Sequence, residues 1–341
     1  MSLNKGVLAV LVLAATVVVS VARCGRDGGA QEGPLVVYCG RSRSLVEPLI
    51  KRFKQETGIE VQVRYADTAQ LAAALQEEAA HSPADVYWAQ DGGSVGAVSK
   101  ANLFKRLPDS IVKRAKAPYD NPAGFWVATS GRARVLAYAP ARVSEDELPA
   151  SVFDLADPKW KGRVGWAPTN ASFQSFVTAM RKVHGPERTR QWLAAMKENG
   201  TRRYAKNTPI IKALATGEID LGLPNHYYLL RFKKADLQYP VEQRFFEAGD
   251  IGNLVNVAGA GILRSAPNPA AAERFVAYLL SDTAQQHFTS EVFEYPVIDG
   301  VITNPRLLNR EQMGTTVPDV KIEDLNDLKG TTTMLKEVGL L

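Results

Sequence analysis

Leu35-Val36-Val37-Tyr38, followed by Gly40, is a short apolar run of the kind that forms a buried strand. What comes next decides the fold. Leu45, Val46, Leu49, Ile50 and Phe53 recur at helical spacing, and Thr57-Gly58 supplies a helix stop. Ile59, Val61, Val63 and Tyr65 alternate with Glu60, Gln62 and Arg64, the period of a half-buried strand. Leu71, Ala72, Leu75 and Ala79 mark a second helix, and residues 83–89 return to strand-like sequence. This β-α-β-α-β order predicts an α/β fold with a mainly parallel sheet covered by helices.

The same alternation recurs from Arg163. Arg163-Val164-Gly165-Trp166 reads as a strand entering Pro168-Thr169-Asn170, and Phe173, Phe176, Val177 and Met180 describe a helix that stops at His184-Gly185. Trp192, Leu193 and Met196 mark the next helix, ending at Asn199-Gly200. Thr208-Pro209 reads as an N-cap with proline at the first helical position, and Thr216-Gly217 ends that helix. Residues 218–223 read as a strand, and a late helix over 269–281 carries Ala272, Phe275, Val276 and Leu279 on one face.

Polar clusters sit where strands give way to helices: Gly40-Arg41-Ser42, Gln90-Asp91-Gly92, Thr169-Asn170-Ala171-Ser172, Asn207-Thr208 and Asn225-His226-Tyr227-Tyr228. Helix N-termini offer free N–H groups and a positive dipole end, which favour anions, and strand ends of open α/β sheets are where such folds bind ligands. Each cluster alone is accounted for as a capping turn. The adjacent Tyr227 and Tyr228 stand apart from the others. Phenolate oxygens are hard anionic donors suited to a hard cation such as Fe3+, while the blander account of the pair is core aromatics at a helix start.

The chain has 341 residues and a formal net charge of +5. Lys5 followed by the apolar run 7–21 and the small residues Ser20-Val21-Ala22 reads as a signal peptide over residues 1–22. Cleavage after Ala22 leaves a flexible tether over 23–33. Lipid attachment at Cys24 is the alternative, and Arg23 directly before it fits that poorly. The chain is thus expected outside the cytoplasm, in the periplasm or on the outer face of the cytoplasmic membrane. Two cysteines, Cys24 and Cys39, make no metal-binding motif, and nothing requires them to pair. The mild positive excess is accounted for by a solvated surface, and no long basic run points to nucleic acid. The remaining length suits two lobes of roughly 100–200 residues each.

An ordered series of segments goes further. It runs through Ser82-Pro83-Ala84-Asp85-Val86, residues 130–135, residues 159–165, Ala167-Pro168-Thr169, Tyr204-Ala205-Lys206-Asn207, Gly217-Glu218-Ile219-Asp220, Asn225-His226-Tyr227-Tyr228, Gly259-Ala260-Gly261 and Glu294-Tyr295-Pro296. In these the chain resembles the periplasmic ferric-binding proteins, solute receptors of ABC-type iron importers, over nearly all of residues 35–300. The resemblance implies a type-II periplasmic binding fold: two lobes with mainly parallel central sheets, joined by hinge strands near 126–134 and 256–263. Lobe 1 would comprise 34–132 with 260–300, and lobe 2 would comprise 133–259 with 301–341. It further implies a monomer that hands its cargo to an ABC-type permease and its ATPase.

The family's adjacent iron-binding tyrosines map onto Tyr227 and Tyr228. Its synergistic anion, such as phosphate or carbonate, maps onto Asn170, Ala171 and Ser172 with help from Asn207 and Asn225. Arg132 is a further anion candidate, balanced by a structural role in or beside the hinge, as for Arg134. The departures are informative. One branch adds a histidine and a glutamate from the first lobe, and Ser42 and Gln90 stand at those positions. Another adds a third tyrosine, where Ser172 stands. Gln90 and Asp91 are the candidates to complete the metal shell, Asp91 being read otherwise as a solvated helix-start carboxylate. A phenol has a pKa of about 10, so binding at neutral pH requires the metal to displace two protons, which Fe3+ is acidic enough to do. His226 is expected to pack or cap.

Two other readings compete. Gly92-Gly93-Ser94-Val95-Gly96 satisfies the G-x-S-x-G pattern of hydrolase nucleophile elbows, but His81, His184, His226 and His287 lie in no supporting motif. The expectation is therefore a receptor, not an enzyme. The nearer rival keeps the fold and exchanges iron for a phosphorylated or carboxylated organic anion.

Overall fold

The computed structural model describes residues 33–341 apart from 117, 118, 120, 122 and 309. The expected signal peptide, almost all of the tether and Cys24 lie outside the described residues.

The first strand-helix alternation folds as its periodicity predicts. β1 (Leu35–Cys39), α1 (Arg43–Thr57), β2 (Val61–Tyr65), α2 (Thr68–Glu78), β3 (Val86–Ala89) and α3 (Gly92–Lys100) follow in order, then a short α4 (Asp109–Val112) and β4 (Val127–Ala133). α1 buries the five apolar residues that define its stripe. Gly58 ends it in the left-handed conformation, φ 70°, with its N–H bonded to the Lys54 carbonyl, a backbone shape glycine adopts without steric cost.

Two residues after β4 the chain enters β5 (Leu136–Tyr138), then β6 (Val164–Trp166), α5 (Ala171–His184), α6 (Pro186–Glu198), β7 (Arg202–Arg203), α7 (Asn207–Thr216), β8 (Leu221–Gly222), α8 (His226–Ala235) and β9 (Glu242–Arg244). It returns through β10 (Val255–Ile262) and continues as α9 (Pro269–Leu279), α10 (Asp282–His287), α11 (Arg310–Thr316) and α12 (Leu328–Glu337).

Two five-stranded sheets result, ordered β2-β1-β3-β10-β4 and β7-β6-β8-β5-β9. Both are mixed. β1 runs parallel to β2 and β3, and β6 parallel to β7 and β8. β10 is antiparallel to β3 and β4, and β5 antiparallel to β8 and β9. The parallel pairings are those the βαβ pattern predicts. The antiparallel ones come from the strands that carry the chain between sheets, which that pattern does not register. β10 pairs along its whole length in the first sheet, across the residue-259/260 division expected from sequence.

Separate cores serve the two sheets. Trp88, Phe53 and Phe275 pack under the first, with the Phe53 and Phe275 rings 5.1 Å apart edge-on. Trp166, Phe173, Phe176 and Trp192 fill the second. Burial of each such side chain contributes roughly 1.5–3 kcal/mol.

Two local expectations shift. α7 starts at Asn207 with Lys206 as its cap residue, so Thr208 lies inside the helix and Pro209 in its first turn, where a missing N–H still costs nothing. The strand expected over 218–223 is assigned only at Leu221–Gly222. Backbone pairing nonetheless extends from Asp220 N–H to the Arg163 carbonyl (2.8 Å) and from Leu223 N–H to Gly165 (3.1 Å).

Candidate metal centre

Asn225 closes the segment after β8 and starts α8 in extended geometry, without a side-chain cap bond. The next residues are His226, Tyr227 and Tyr228. The two phenol rings stack with centroids 4.3 Å apart and planes 28° apart. Tyr227 is buried, and Tyr228 is half-buried and lines a cavity of about 520 Å³. Thus one phenol faces inward and its neighbour faces an opening.

The inward phenol lies in a charged nest. Arg41, Arg132 and Glu294 are all buried, the carboxylate completely. Arg41 Nη2 donates to Glu294 Oε2 (2.7 Å), and the Ser130 hydroxyl donates to the same oxygen (2.5 Å). Arg132 donates only to the Val257 carbonyl (3.3 Å). Nε and Nη1 of both arginines, and Oε1 of Glu294, are buried without a hydrogen-bond partner. Two guanidiniums against one carboxylate leave a buried excess of positive charge, with four orphaned nitrogens ready for an anion. Burial raises the Glu294 carboxyl, but Arg41 and Arg132 outweigh it and hold the group below its usual range. Burial, then Tyr228 and Glu294, push the Tyr227 phenol well above 10, against the pull of Arg132 and Arg41.

The helix start expected to hold an anion lies beside the tyrosines. Asn170 caps α5, its Oδ1 accepting from the Ser172 N–H (3.0 Å) and hydroxyl (2.6 Å). Asn225 Nδ2 donates to Ser172 Oγ (3.3 Å), which ties the starts of α5 and α8 together. Ala171 is half-buried at the same turn. Arg134 reinforces the junction by donating to the Leu223 carbonyl (2.6 Å) and the Ser172 carbonyl (2.9 Å). Burial and neighbouring Arg132 pull its guanidinium down to about 9. Asn207 is buried with Nδ2 lacking a partner.

Gln90 and Asp91 part company. Gln90 is half-buried, its N–H donating to Thr68 Oγ1 (3.3 Å). Asp91 is fully buried, not solvated. It caps α3 by accepting from the Ser94 N–H (2.8 Å) and hydroxyl (3.0 Å), and also accepts from the Ser175 hydroxyl of α5 (3.0 Å). Three donors occupy this carboxylate. Ser94 of the G-x-S-x-G stretch is equally buried, and that stretch is explained by packing: a Cβ on Gly93 would lie 2.5 Å from the Leu325 carbonyl oxygen.

His226 bridges both sheets' surroundings. Its Nδ1 accepts from the Ala133 N–H (3.1 Å) and its Nε2 lies 2.7 Å from the Phe293 carbonyl. Burial pulls its pKa down to about 4, so it is a neutral packing element. Among the described residues, no cluster of three or more His, Cys, Asp or Glu could hold a metal.

Arg41 and Glu294 were missed as individual site residues. Both stood inside quoted segments; a stronger signal was available for Glu294, a charge set between Phe293 and Tyr295, but not for Arg41, which sits in the polar run Arg41-Ser42-Arg43-Ser44.

Residues 35–294 match the family model of the bacterial extracellular solute-binding proteins. The chain belongs to this family. Within it, the chain is 34% identical over 311 residues to the major ferric iron-binding protein of Neisseria meningitidis serogroup B, covering 90% of this chain and 93% of that one. It is 31% identical to the Fe(3+)-binding periplasmic protein of Serratia marcescens, covering 93% and 94%. Iron-bound HitA from Pseudomonas aeruginosa superposes with a TM-score of 0.86 at 32% identity, over 90% of this chain and 99% of that one. The two-sheet architecture is therefore that of a solute-binding protein, and the resemblance read from the sequence holds across the described chain.

Proposed function

We propose that this solute-binding protein is an extracytoplasmic receptor that captures Fe3+ together with an anion and delivers it, as a monomer, to an ABC-type permease and its ATPase. The observation that carries the reading is the stacked pair Tyr227 and Tyr228, one phenol buried in a net-positive nest and the other open to a cavity. The names of the iron-binding relatives support it. Export to the periplasm, with or without a lipid at Cys24, follows from the same reading.

The chemistry is proton displacement. Each phenol loses its proton as its oxygen bonds iron, so two protons leave per ion. Two phenolates reduce the charge of Fe3+ to +1, and an anion such as phosphate or carbonate offsets the rest. Asn170, Ala171, Ser172, Asn207 and Asn225 are its proposed holders. The orphaned N–H groups of Arg41 and Arg132 add a second set of donors. Gln90 remains a candidate for the metal shell. Asp91 is left out because three donors already occupy it. We further propose two lobes, one on each sheet, hinged at β4 and β10, with closure over the cargo read by the permease.

Purified protein mixed with ferric citrate is expected to gain a visible phenolate-to-iron band and thermal stabilisation; absence of both would remove the iron reading. The orphaned guanidinium nitrogens also suit a receptor for a phosphorylated or carboxylated organic anion. That alternative predicts stabilisation by the anion alone and a colourless complex.

A further inference from the structure

We propose that a cavity on the side of α8 turned away from the Tyr228 opening is a second binding site, and that it takes an aliphatic monocarboxylate whose head is held by Arg244 and Arg306. The inference is independent of the iron reading and concerns a different ligand.

α8 lines two cavities with two faces. Tyr228, Arg231, Phe232 and Ala235, at helical spacing, line the opening beside the exposed phenol. His226, Leu229, Leu230 and Lys233 repeat that spacing two residues out of phase, roughly 200° around the helix, and line a separate cavity of about 440 Å³. Its volume lies in the range of small-molecule sites. Phe245 beyond β9, Tyr295 and Leu308 extend the apolar lining. The buried rings of His226 and Tyr295 lie 4.8 Å apart within it. Both His226 nitrogens are engaged with backbone at Ala133 and Phe293, so this residue offers a ligand only its ring surface. Leu237 also lines the cavity and is 65% exposed, one of four large apolar side chains left in solvent among the described residues. An apolar chain seated here would cover it.

The charges in the lining do not balance. Lys233, Arg244 and Arg306 face a single carboxylate, Glu242, which leaves an excess of two positive charges. Lys233 pairs with Glu242. Arg244 spends Nε on the Phe245 carbonyl (3.2 Å), and neither it nor Arg306 has a carboxylate partner among the described residues. Leucine walls beside two unmatched guanidiniums complement an amphipathic anion. A guanidinium fork matches a carboxylate in bidentate fashion. Glu242 in the same lining repels a head with two charges, so one carboxylate fits better than a phosphate monoester.

The test is calorimetric titration of full-length mature protein with decanoate below its micellar concentration, and with decanol, acetate and decyl phosphate. Decanoate is expected to bind saturably, one per chain, with the negative heat-capacity change of apolar burial. Decanol and decyl phosphate should bind about ten-fold more weakly, and acetate not at all. Arg244→Gln/Arg306→Gln alters two exposed positions, so thermal melts should match the wild type. In this variant decanoate should weaken about ten-fold, as expected for removing two charge-assisted contacts, with decanol unchanged. Arg231→Gln, on the other face of α8, should leave decanoate binding as it is. Binding that does not saturate would overturn the inference, as would decanoate affinity unchanged in the double variant. Decanol or decyl phosphate binding as tightly as decanoate would overturn the ligand class. A loss in Arg231→Gln equal to that in the double variant would put the acid in the opening beside Tyr228 and overturn the site.

Discussion

Two helix starts, those of α3 and α8, look alike in sequence and differ in the folded protein. Each follows a strand and each opens on polar residues: Gln90-Asp91-Gly92 before α3, Asn225-His226 before α8. At α3 the protein closes the end. Asp91 caps it, Ser175 of α5 adds a donor, and residues 322–326 lie against its glycine face. At α8 no side chain caps the end, and the first turn carries two phenols toward buried cations and a cavity. A polar cluster at a strand-helix junction is therefore only a place where a site can be built. Packing by distant segments decides whether the place is filled or left for a ligand.

The sharpest way to break the comparison is to remove the phenols. Tyr227→Phe/Tyr228→Phe keeps the ring stack, so folding should persist while iron affinity falls by at least about 100-fold, above the range for losing mere supporting groups. Iron titration read by the visible band and by metal analysis checks this; unchanged affinity would show that α8 is as closed as α3. The reciprocal change is Asp91→Ala. It removes a cap and strands the Ser94 and Ser175 hydroxyls, at a cost of about 2 kcal/mol, with iron affinity within about three-fold of the wild type. A loss comparable with the tyrosine variant would place the Asp91 carboxylate on the metal. Gly93→Ala should follow. Its Cβ meets the Leu325 carbonyl oxygen at 2.5 Å, and overpacking of about 1–3 kcal/mol is opposed by a helix-propensity gain of about 1 kcal/mol. A net loss of about 1–2 kcal/mol in a denaturant titration, with the iron band intact, would confirm that this face is structural.

Much of this contrast was beyond the reach of sequence reading, for physical reasons. α1 was legible because its signal is local: five apolar residues at helical spacing and a glycine stop. The parallel strands around β1 and β6 were legible through their βαβ order. The placing of β10 between β3 and β4 was not, because its partners lie more than a hundred residues away and periodicity says nothing about register. The tyrosine pair stood out as a local chemical oddity. The nest behind it did not, since Arg41 and Glu294 are separated by 253 residues and meet only when the fold closes. Asp91 was expected in solvent for the same reason: the helix and segment that bury it are read one by one, not together.

The base of α8 differs from that of α3 in one more respect, and pH should expose it. Asp220, leading into β8, is held by Arg142 (2.5 Å) and Arg163 (2.6 Å), both partly solvent-exposed. Burial raises its carboxyl, but the hydrogen bonds and charges of Arg163 and Arg142 outweigh that and lower it below the ordinary 3.8. A depressed folded-state pKa means stability that is fully present above the unfolded value and lost as pH falls through the folded one. Solvent screening limits the contribution to about 1 kcal/mol. Asp220→Asn should therefore lower Tm at pH 6, and the gap from the wild type should close as pH drops below about 4, the unfolded pKa. Thermal melts at pH 6 and pH 3 read the difference directly. A gap of the same size at both would mean that Asp220 acts through its shape, and that the strand feeding α8 is anchored by packing in the same manner as α3.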